Sequence, residues 1–249
     1  MHVFDTHCHL GYDAAGDPHA EHARAVAAGV TGMVVVATDA ASSARARDLA
    51  SLPGVRWSAG LHPNDATRFA AEWPAIVALA RAPGCAAIGE TGLDCYRDRA
   101  PLDEQETSLR AHLALARELD LPVILHCREA FAPLLAVLRS EPPCRGVMHC
   151  FSGGIDEARA ALDLGYLISF AGPLTYPKNE TLRAVAAFVP EDRMVVETDA
   201  PFLPPQPFRG KRNEPAYVVH TLQTLANVRG LALADAAART FDNAVALFG

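Results

Sequence analysis

The sequence lacks any C-x-x-C pair. Its six cysteines, Cys8, Cys85, Cys95, Cys127, Cys144 and Cys150, are scattered, and several sit inside apolar strand-like runs. That pattern points to buried, reduced thiols. An excess of basic residues is also missing: 22 Lys and Arg stand against 29 Asp and Glu, a net charge of −7. No overall basic footprint therefore exists for a polyanion. Nucleic acid binding would have to rest on local cations or on metal ions, which reverse the sign of an acidic cleft. The N-terminus has no basic segment followed by a long apolar one, so no signal peptide is expected. No apolar run approaches the ~20 residues of a membrane span. A soluble, cytoplasmic protein is the expectation. No linker, short repeat or low-complexity tract interrupts the chain, so residues 1–249 read as one domain.

What is present is hydrophobic residue in abundance, half of 249 positions. That length is generous for an ordinary domain and normal for one α/β barrel. Apolar runs alternate with Ala- and Leu-rich helical stretches from end to end. Strands are expected at 2–8, 30–37, 56–60, 85–89, 122–127, 146–150, 166–171 and 193–197. Helices are expected at 18–28, 42–52, 66–81, 102–119, 130–139, 155–164, 179–189, 214–229 and 234–248, with a Pro-, Gly- and basic-rich loop at 202–213. The strand runs are continuous rather than alternating, which marks strands covered on both faces. Eight β-then-α units predict a (β/α)8 TIM-type barrel.

In such a barrel the chemistry gathers where strands end. The first strand ends in Asp5, His7 and His9. Residues two apart on a strand share a face, so the two imidazoles point together, with Asp5 one step behind. Other strand ends carry His62, Glu90, His126, His149 and Asp199. Histidines placed without purpose would scatter over helix faces, as His19, His22, His112 and His220 do in this reading. His7, His9, Glu90, His126, His149 and Asp199 are therefore the expected metal ligands. Six good donors exceed what one tetrahedral zinc needs. Two divalent ions about 3.5–4 Å apart, sharing a carboxylate and a water, fit better. Glu90 is the natural bridge, with His7, His9 and Asp199 on one ion and His126 and His149 on the other. The shared water would become the nucleophile, and Asp199 could accept its proton. Mixed N/O ligands suit Mg²⁺, Mn²⁺ or Zn²⁺.

Arg128 follows His126 by two and is expected on the same face, where a guanidinium could clamp a phosphate; a pair with Glu129 is the alternative. Phe151-Ser152-Gly153-Gly154 opens a helix, and its N–H groups, with Ser152, could receive an anion. Arg209, Lys211 and Arg212 form the one basic knot, on the rim loop after the eighth strand, placed for phosphate contact. Asn213 and Glu214 are expected to brace Asp199 or that loop, and His62 and Asp94 to support the ligands. Tyr96 and Phe202 could stack a base.

Taken in order, D-T-H-C-H-L, G-L-H-P, I-G-E-T-G-L-D, H-C-R-E-A, H-C-F-S-G, E-T-D-A-P-F-L, R-G-K-R-N-E-P and N-A-V-A-L-F span the whole chain. This ordered set resembles the TatD family of metal-dependent deoxyribonucleases, within the amidohydrolase superfamily. The resemblance implies a barrel, a two-metal site and phosphodiester hydrolysis. By position, the family's ligands fall on His7, His9, Glu90, His126, His149 and Asp199. Two departures touch the pocket wall rather than the ligands: Cys95 stands where the family often has an aromatic, and Cys127 where it commonly has a serine. The expected function is an exonuclease acting on single-stranded DNA ends, as a monomer. The alternative keeps the metals and changes the bond to an ester, amide or lactone, for example in an aminoacyl-nucleic-acid deacylase. A non-catalytic scaffold is a third reading, against which the intact ligand set stands.

Overall fold

Eight parallel strands wind in chain order into one sheet, each hydrogen-bonded to the next. The computed structural model describes residues 1–13 and 15–249. The strands are β1 (Val3–Cys8), β2 (Val30–Val35), β3 (Val55–Ala59), β4 (Cys85–Asp94), β5 (Val123–Arg128), β6 (Gly146–Met148), β7 (Leu167–Phe170) and β8 (Met194–Val196). Among the described residues nine α-helices alternate with or follow them: α1 (Pro18–Ala27), α2 (Ala40–Leu49), α3 (Phe69–Ala80), α4 (Leu102–Leu119), α5 (Phe131–Ser140), α6 (Ile155–Asp163), α7 (Glu180–Phe188), α8 (Val218–Arg229) and α9 (Leu233–Phe248). The sheet closes on itself through a parallel bridge between Cys8 and Ala200. Asp199 N–H donates to the His7 carbonyl (2.8 Å) and His9 N–H to the Ala200 carbonyl (2.7 Å) across that seam. The result is the (β/α)8 barrel that the eight apolar runs predict. Among the described residues no helix is long and apolar enough to cross a membrane.

Two apolar layers hold it. Outward strand residues such as Met33, Trp57, Leu125 and Ile168 pack under the helices. Inward residues Phe4, Val34, Ala87, Ile124, Val147 and Val195 form a separate cluster inside the barrel, and Ala244, Leu247 and Phe248 of α9 close its lower end. Phe4 stacks on Phe248 with centroids 6.3 Å apart. The alternation has a consequence at the other end. Two positions above Ile124, Val147 and Val195 stand His126, His149 and Glu197, so the same inward rows turn from apolar to ligand-type on the way up.

Element boundaries depart from expectation in a few places. The stretch 90–94, beyond the expected end of the fourth strand at 89, continues β4, because Gly92, Leu93 and Asp94 pair with His126, Cys127 and Arg128. The helix expected over 66–81 begins as a 3-10 turn, Pro63–Arg68, before α3. A similar turn, Pro215–Tyr217, precedes α8. Of the thiols, all free, Cys8, Cys127 and Cys144 are buried, while Cys95 is exposed, since it lies just past the end of β4.

Gly92 ties fold to cavity. Its φ is +145°, and a Cβ there would lie 2.0 Å from the His126 carbonyl oxygen. Gly92→Ala is expected to lower the unfolding free energy by about 2–4 kcal/mol, read from urea denaturation. Coincident urea midpoints for variant and parent would contradict this close-packed account.

Candidate metal centre

Glu90 sits at the middle of the barrel mouth, 3% exposed. Its two oxygens face two different groups of imidazoles. Oε2 lies 3.4 Å from His7 Nε2 and 3.7 Å from His9 Nε2. Oε1 lies 2.8 Å from His126 Nδ1, 2.9 Å from His149 Nε2 and 3.5 Å from His62 Nε2. Asp199 Oδ1 closes the first group, 3.7 Å from His7 Nε2 and 3.5 Å from His9 Nε2. Six residues expected as ligands, from five strand ends, thus converge on one cavity, with His62 from a sixth drawn in among them.

The donor chemistry can be tested atom by atom. His9 Nδ1 lies 2.9 Å from the Val36 carbonyl, and His149 Nδ1 lies 3.0 Å from Glu197 Oε1. A ring that donates through Nδ1 keeps a lone pair on Nε2 when neutral. His9 Nε2 then faces His7 Nε2 at 3.3 Å, and His149 Nε2 faces a Glu90 oxygen at 2.9 Å. Lone pairs aimed at shared space in a buried cavity repel unless a proton or a metal cation lies between them. Burial opposes a positive charge there, but the neighbouring carboxylates outweigh it and raise the His149 and His9 rings above their ordinary value. Three sets of three donors lie close enough to hold an ion: His7, His9 and Glu90; His62, Glu90 and His126; His7, His149 and Asp199. Mixed imidazole and carboxylate donors fit a divalent ion of the first transition row, or Mg²⁺ where carboxylates dominate.

The protonation states follow from burial and company. Burial alone would raise the Glu90 carboxyl, but the imidazoles of His149, His62 and His7 outweigh it and hold the group well below its ordinary value. Asp199 behaves alike: burial raises it, and His9, His149 and His7 pull it below the usual range. Burial pushes His62 down to about 3, so its ring is neutral at neutral pH. Both acids are therefore ready as anionic donors.

Behind the cavity lies a brace. Asp5 is turned away from the imidazoles and accepts from Thr198 N–H (2.9 Å) and Thr198 Oγ1 (2.6 Å), tying β1 to the turn that carries Asp199. Burial, outweighing those hydrogen bonds, raises its pKa to about 8. Asp199 itself has φ 57°, a left-handed conformation that Asp tolerates better than most residues. Asn213 Nδ2 donates to the carbonyls of Thr198 (2.8 Å) and Phe202 (2.6 Å), so it braces the loop as expected. Asp94 Oδ2 lies 3.4 Å from His126 Nε2 and accepts from Asn64.

The cationic rim is more varied than its spacing implies. Arg128 does not pair with Glu129; its guanidinium lies over the Tyr96 ring, 3.8 Å from the centroid. Arg209 lies over Tyr176 at 4.2 Å. Arg212, by contrast, is committed to acids, Asp13 at 3.0 Å and Glu21 at 3.5 Å. Lys211 and Ser152 are exposed. Of the N–H groups expected to receive an anion, that of Gly154 is taken by Glu157 (2.9 Å) and that of Phe151 by the Ser169 carbonyl (3.0 Å).

Two residues escaped the reading of the sequence. Glu197, fully buried, orients His149 and also accepts from Cys150 N–H (2.9 Å); its signal was its place two before Asp199 at a strand end. His112, read as a helix-face histidine, does lie on a helix, but on its inner face. It falls in the buried stripe of α4 with Ser108, Leu109 and Ala116. Its Nε2 accepts from Leu61 N–H at 3.0 Å and its Nδ1 lies 2.7 Å from the Ser108 carbonyl, so it pins the turn that leads into His62.

The sequence matches the family described as TatD related DNase over residues 4–249. It is 38% identical over 255 residues to the uncharacterized metal-dependent hydrolase YabD of Bacillus subtilis strain 168, covering 99% of this chain and 98% of that one. It is 40% identical over 235 residues to a protein of Citrobacter koseri named 3'-5' ssDNA/RNA exonuclease TatD, covering 91% of this chain and 90% of the relative. Among solved structures, YJJV, a TatD homolog from Escherichia coli K12, superposes with a TM-score of 0.92 at 33% identity, covering 99% of this chain and 97% of that one.

Burial holds the His112 pKa down to about 4, against 6.5 ordinarily. The unfolded chain thus takes up a proton below pH 6.5 that the folded chain excludes. This contribution to stability is fully present above pH 6.5 and drains away as pH falls toward 4, by about 2 kcal/mol between pH 7 and pH 5. His112→Gln should flatten that part of the pH dependence in urea unfolding. An unchanged slope would remove the neutral-imidazole assignment.

Proposed function

The chain belongs to the TatD-related DNase family and is a metal-dependent hydrolase, and from that premise we propose that it cleaves phosphodiester bonds of DNA, working inward from single-stranded ends. The observation that carries this reading is the division of the Glu90 carboxylate between two groups of nitrogens. One carboxylate with an oxygen for each group is what a pair of dications asks of a bridge. In the proposed assignment His7, His9 and Asp199 would hold one ion, His126 and His149 the other, and Glu90 would serve both. Such ions, when bound, supply an acidified water and polarise a phosphoryl oxygen. The family name of the Citrobacter koseri relative supports a nucleic acid substrate. We place the activity in the whole of 1–249, as a cytoplasmic monomer.

The chain's own residues then have defined tasks. Asp199, held anionic by its imidazole neighbours, accepts the proton of the attacking water. Glu197 keeps His149 in one tautomer through its Nδ1. Arg128 clamps a non-bridging phosphate oxygen. Its guanidinium is anchored on the Tyr96 face instead of on an acid, so its N–H donors remain available. Arg209, anchored likewise on Tyr176, neutralises backbone charge with Lys211. Arg212 holds its loop against Asp13 and Glu21 rather than reaching substrate.

The test is an assay of protein stripped with chelator and reloaded with Mg²⁺, Mn²⁺ or Zn²⁺, on end-labelled single- and double-stranded oligonucleotides. Successive shortening of the single strand, slower on the duplex and absent in EDTA, is expected. Glu90→Ala should abolish turnover and lower metal content by elemental analysis. Normal turnover in that variant would sink the shared-carboxylate centre.

Arg128→Ala is expected to lower kcat/KM on DNA by about tenfold or more while leaving a neutral aryl ester unaffected. An equal loss on both would show that Arg128 is not a phosphate clamp, and a preference for the ester in the parent protein would favour an esterase.

A further inference from the structure

Two exposed rings beside the cavity take no part in the tasks assigned above: Tyr12, and Phe202, which the sequence offers as a base-stacking residue. Tyr12 is 48% exposed and Phe202 43% exposed. They meet edge to face, centroids 5.1 Å apart at 77°. Each also reaches the ring of His9, Tyr12 at 5.9 Å and Phe202 at 6.0 Å. The Nε2 of that histidine faces Glu90 and Asp199, so the pair adjoins the wall of the metal cavity.

The backbone beneath Phe202 is firmly held. Its N–H donates to the Asp199 carbonyl at 2.8 Å, and its carbonyl accepts from Asn213 Nδ2 at 2.6 Å. A pinned loop thus holds a large apolar ring partly out in water, against the hydrophobic effect. The other rim aromatic, Tyr96, differs in this respect: Arg128 lies on its face, leaving it less free to stack anything else.

We infer that Tyr12 and Phe202 form a stacking platform for the unpaired base of the nucleotide adjoining the scissile phosphate. The inference rests on the phosphodiesterase reading and deepens it. The occupant is a planar base joined by one sugar to a phosphate over the His9–Asp199 side of the cavity. Every base offers a π face, so such a platform tolerates sequence. A base within a duplex is already stacked and paired, so the platform favours single-stranded ends. Arg209 and Lys211 lie on the same loop after β8 as Phe202, placing cations along the backbone of a strand whose base rests on the rings. The competing account is that the two rings only shield His9 from water.

The experiment compares two end-labelled single strands of equal length on the metal-loaded full chain. One is normal; the other carries tetrahydrofuran abasic residues in its terminal positions. Phe202→Ala and Tyr12→Ala should each raise KM on the normal strand by about 5- to 150-fold. The parent should show a comparable rise on the abasic strand, and the variants no further rise there. Phe202→Trp should restore the parent KM. A variant that loses equally on both strands would establish shielding and overturn the platform. So would a parent indifferent to the missing bases. A parent that cleaves neither strand overturns the phosphodiesterase reading and the platform together, whereas robust cleavage without base dependence overturns the platform alone.

Discussion

A buried carboxylate surrounded by imidazoles is the interaction on which the upper half of this molecule depends. An isolated charge in so dry a place would be expensive. Here the cost is offset from several directions, because histidines of β1 and β5, and His62 and His149 just past β3 and β6, all turn toward Glu90. The histidines at the end of β1 could not meet those on the far side of the sheet without a closed barrel. The seam between β1 and β8, where Asp199 N–H meets the His7 carbonyl, is therefore as necessary to the cavity as any ligand.

The same strands serve two ends differently. Below, Phe4, Ile124, Val147 and Val195 make a dry interior that α9 seals. Above, the next inward positions are polar. Stability and chemistry are thus stacked along one axis, sharing strands but few contacts. A third layer stands behind the cavity: Asp5 on Thr198, Asn213 on the carbonyls of Thr198 and Phe202, and Glu197 on His149. These braces fix orientation, which short range attraction to a cation alone would leave loose. The rim follows another logic. Two of its arginines are anchored on tyrosine faces, which holds a guanidinium in place while sparing its hydrogen-bond donors.

Much of this was legible in the chain because a buried parallel strand leaves a plain trace. Continuous apolar runs mark it, and its upper end must be polar where the barrel opens. His7 and His9, two apart, and Glu90, His126, His149 and Asp199 at later strand ends could be picked on that ground alone. What the reading fell short of was decided by packing. The fourth strand was ended at 89, where the glycines at 89 and 92 break the apolar run, yet pairing to β5 keeps residues 90–94 in the sheet. His112 was placed on a helix face, and only the packed molecule shows that this face is the buried one. Glu197 shares a strand end with Asp199, and only the tertiary contact with His149 separates the brace from the candidate donor.

The order of elements, the closed architecture and the choice of candidate donors at the strand ends were written in the sequence, because periodicity and strand-end position are local properties. Which donors share Glu90, which acid turns away to hold a loop, and which arginine is bound to acids while its neighbours lie on aromatic rings were decided only in three dimensions. Those outcomes depend on which side chains meet across the mouth of the barrel, and residues far apart in the chain carry no local record of their meeting.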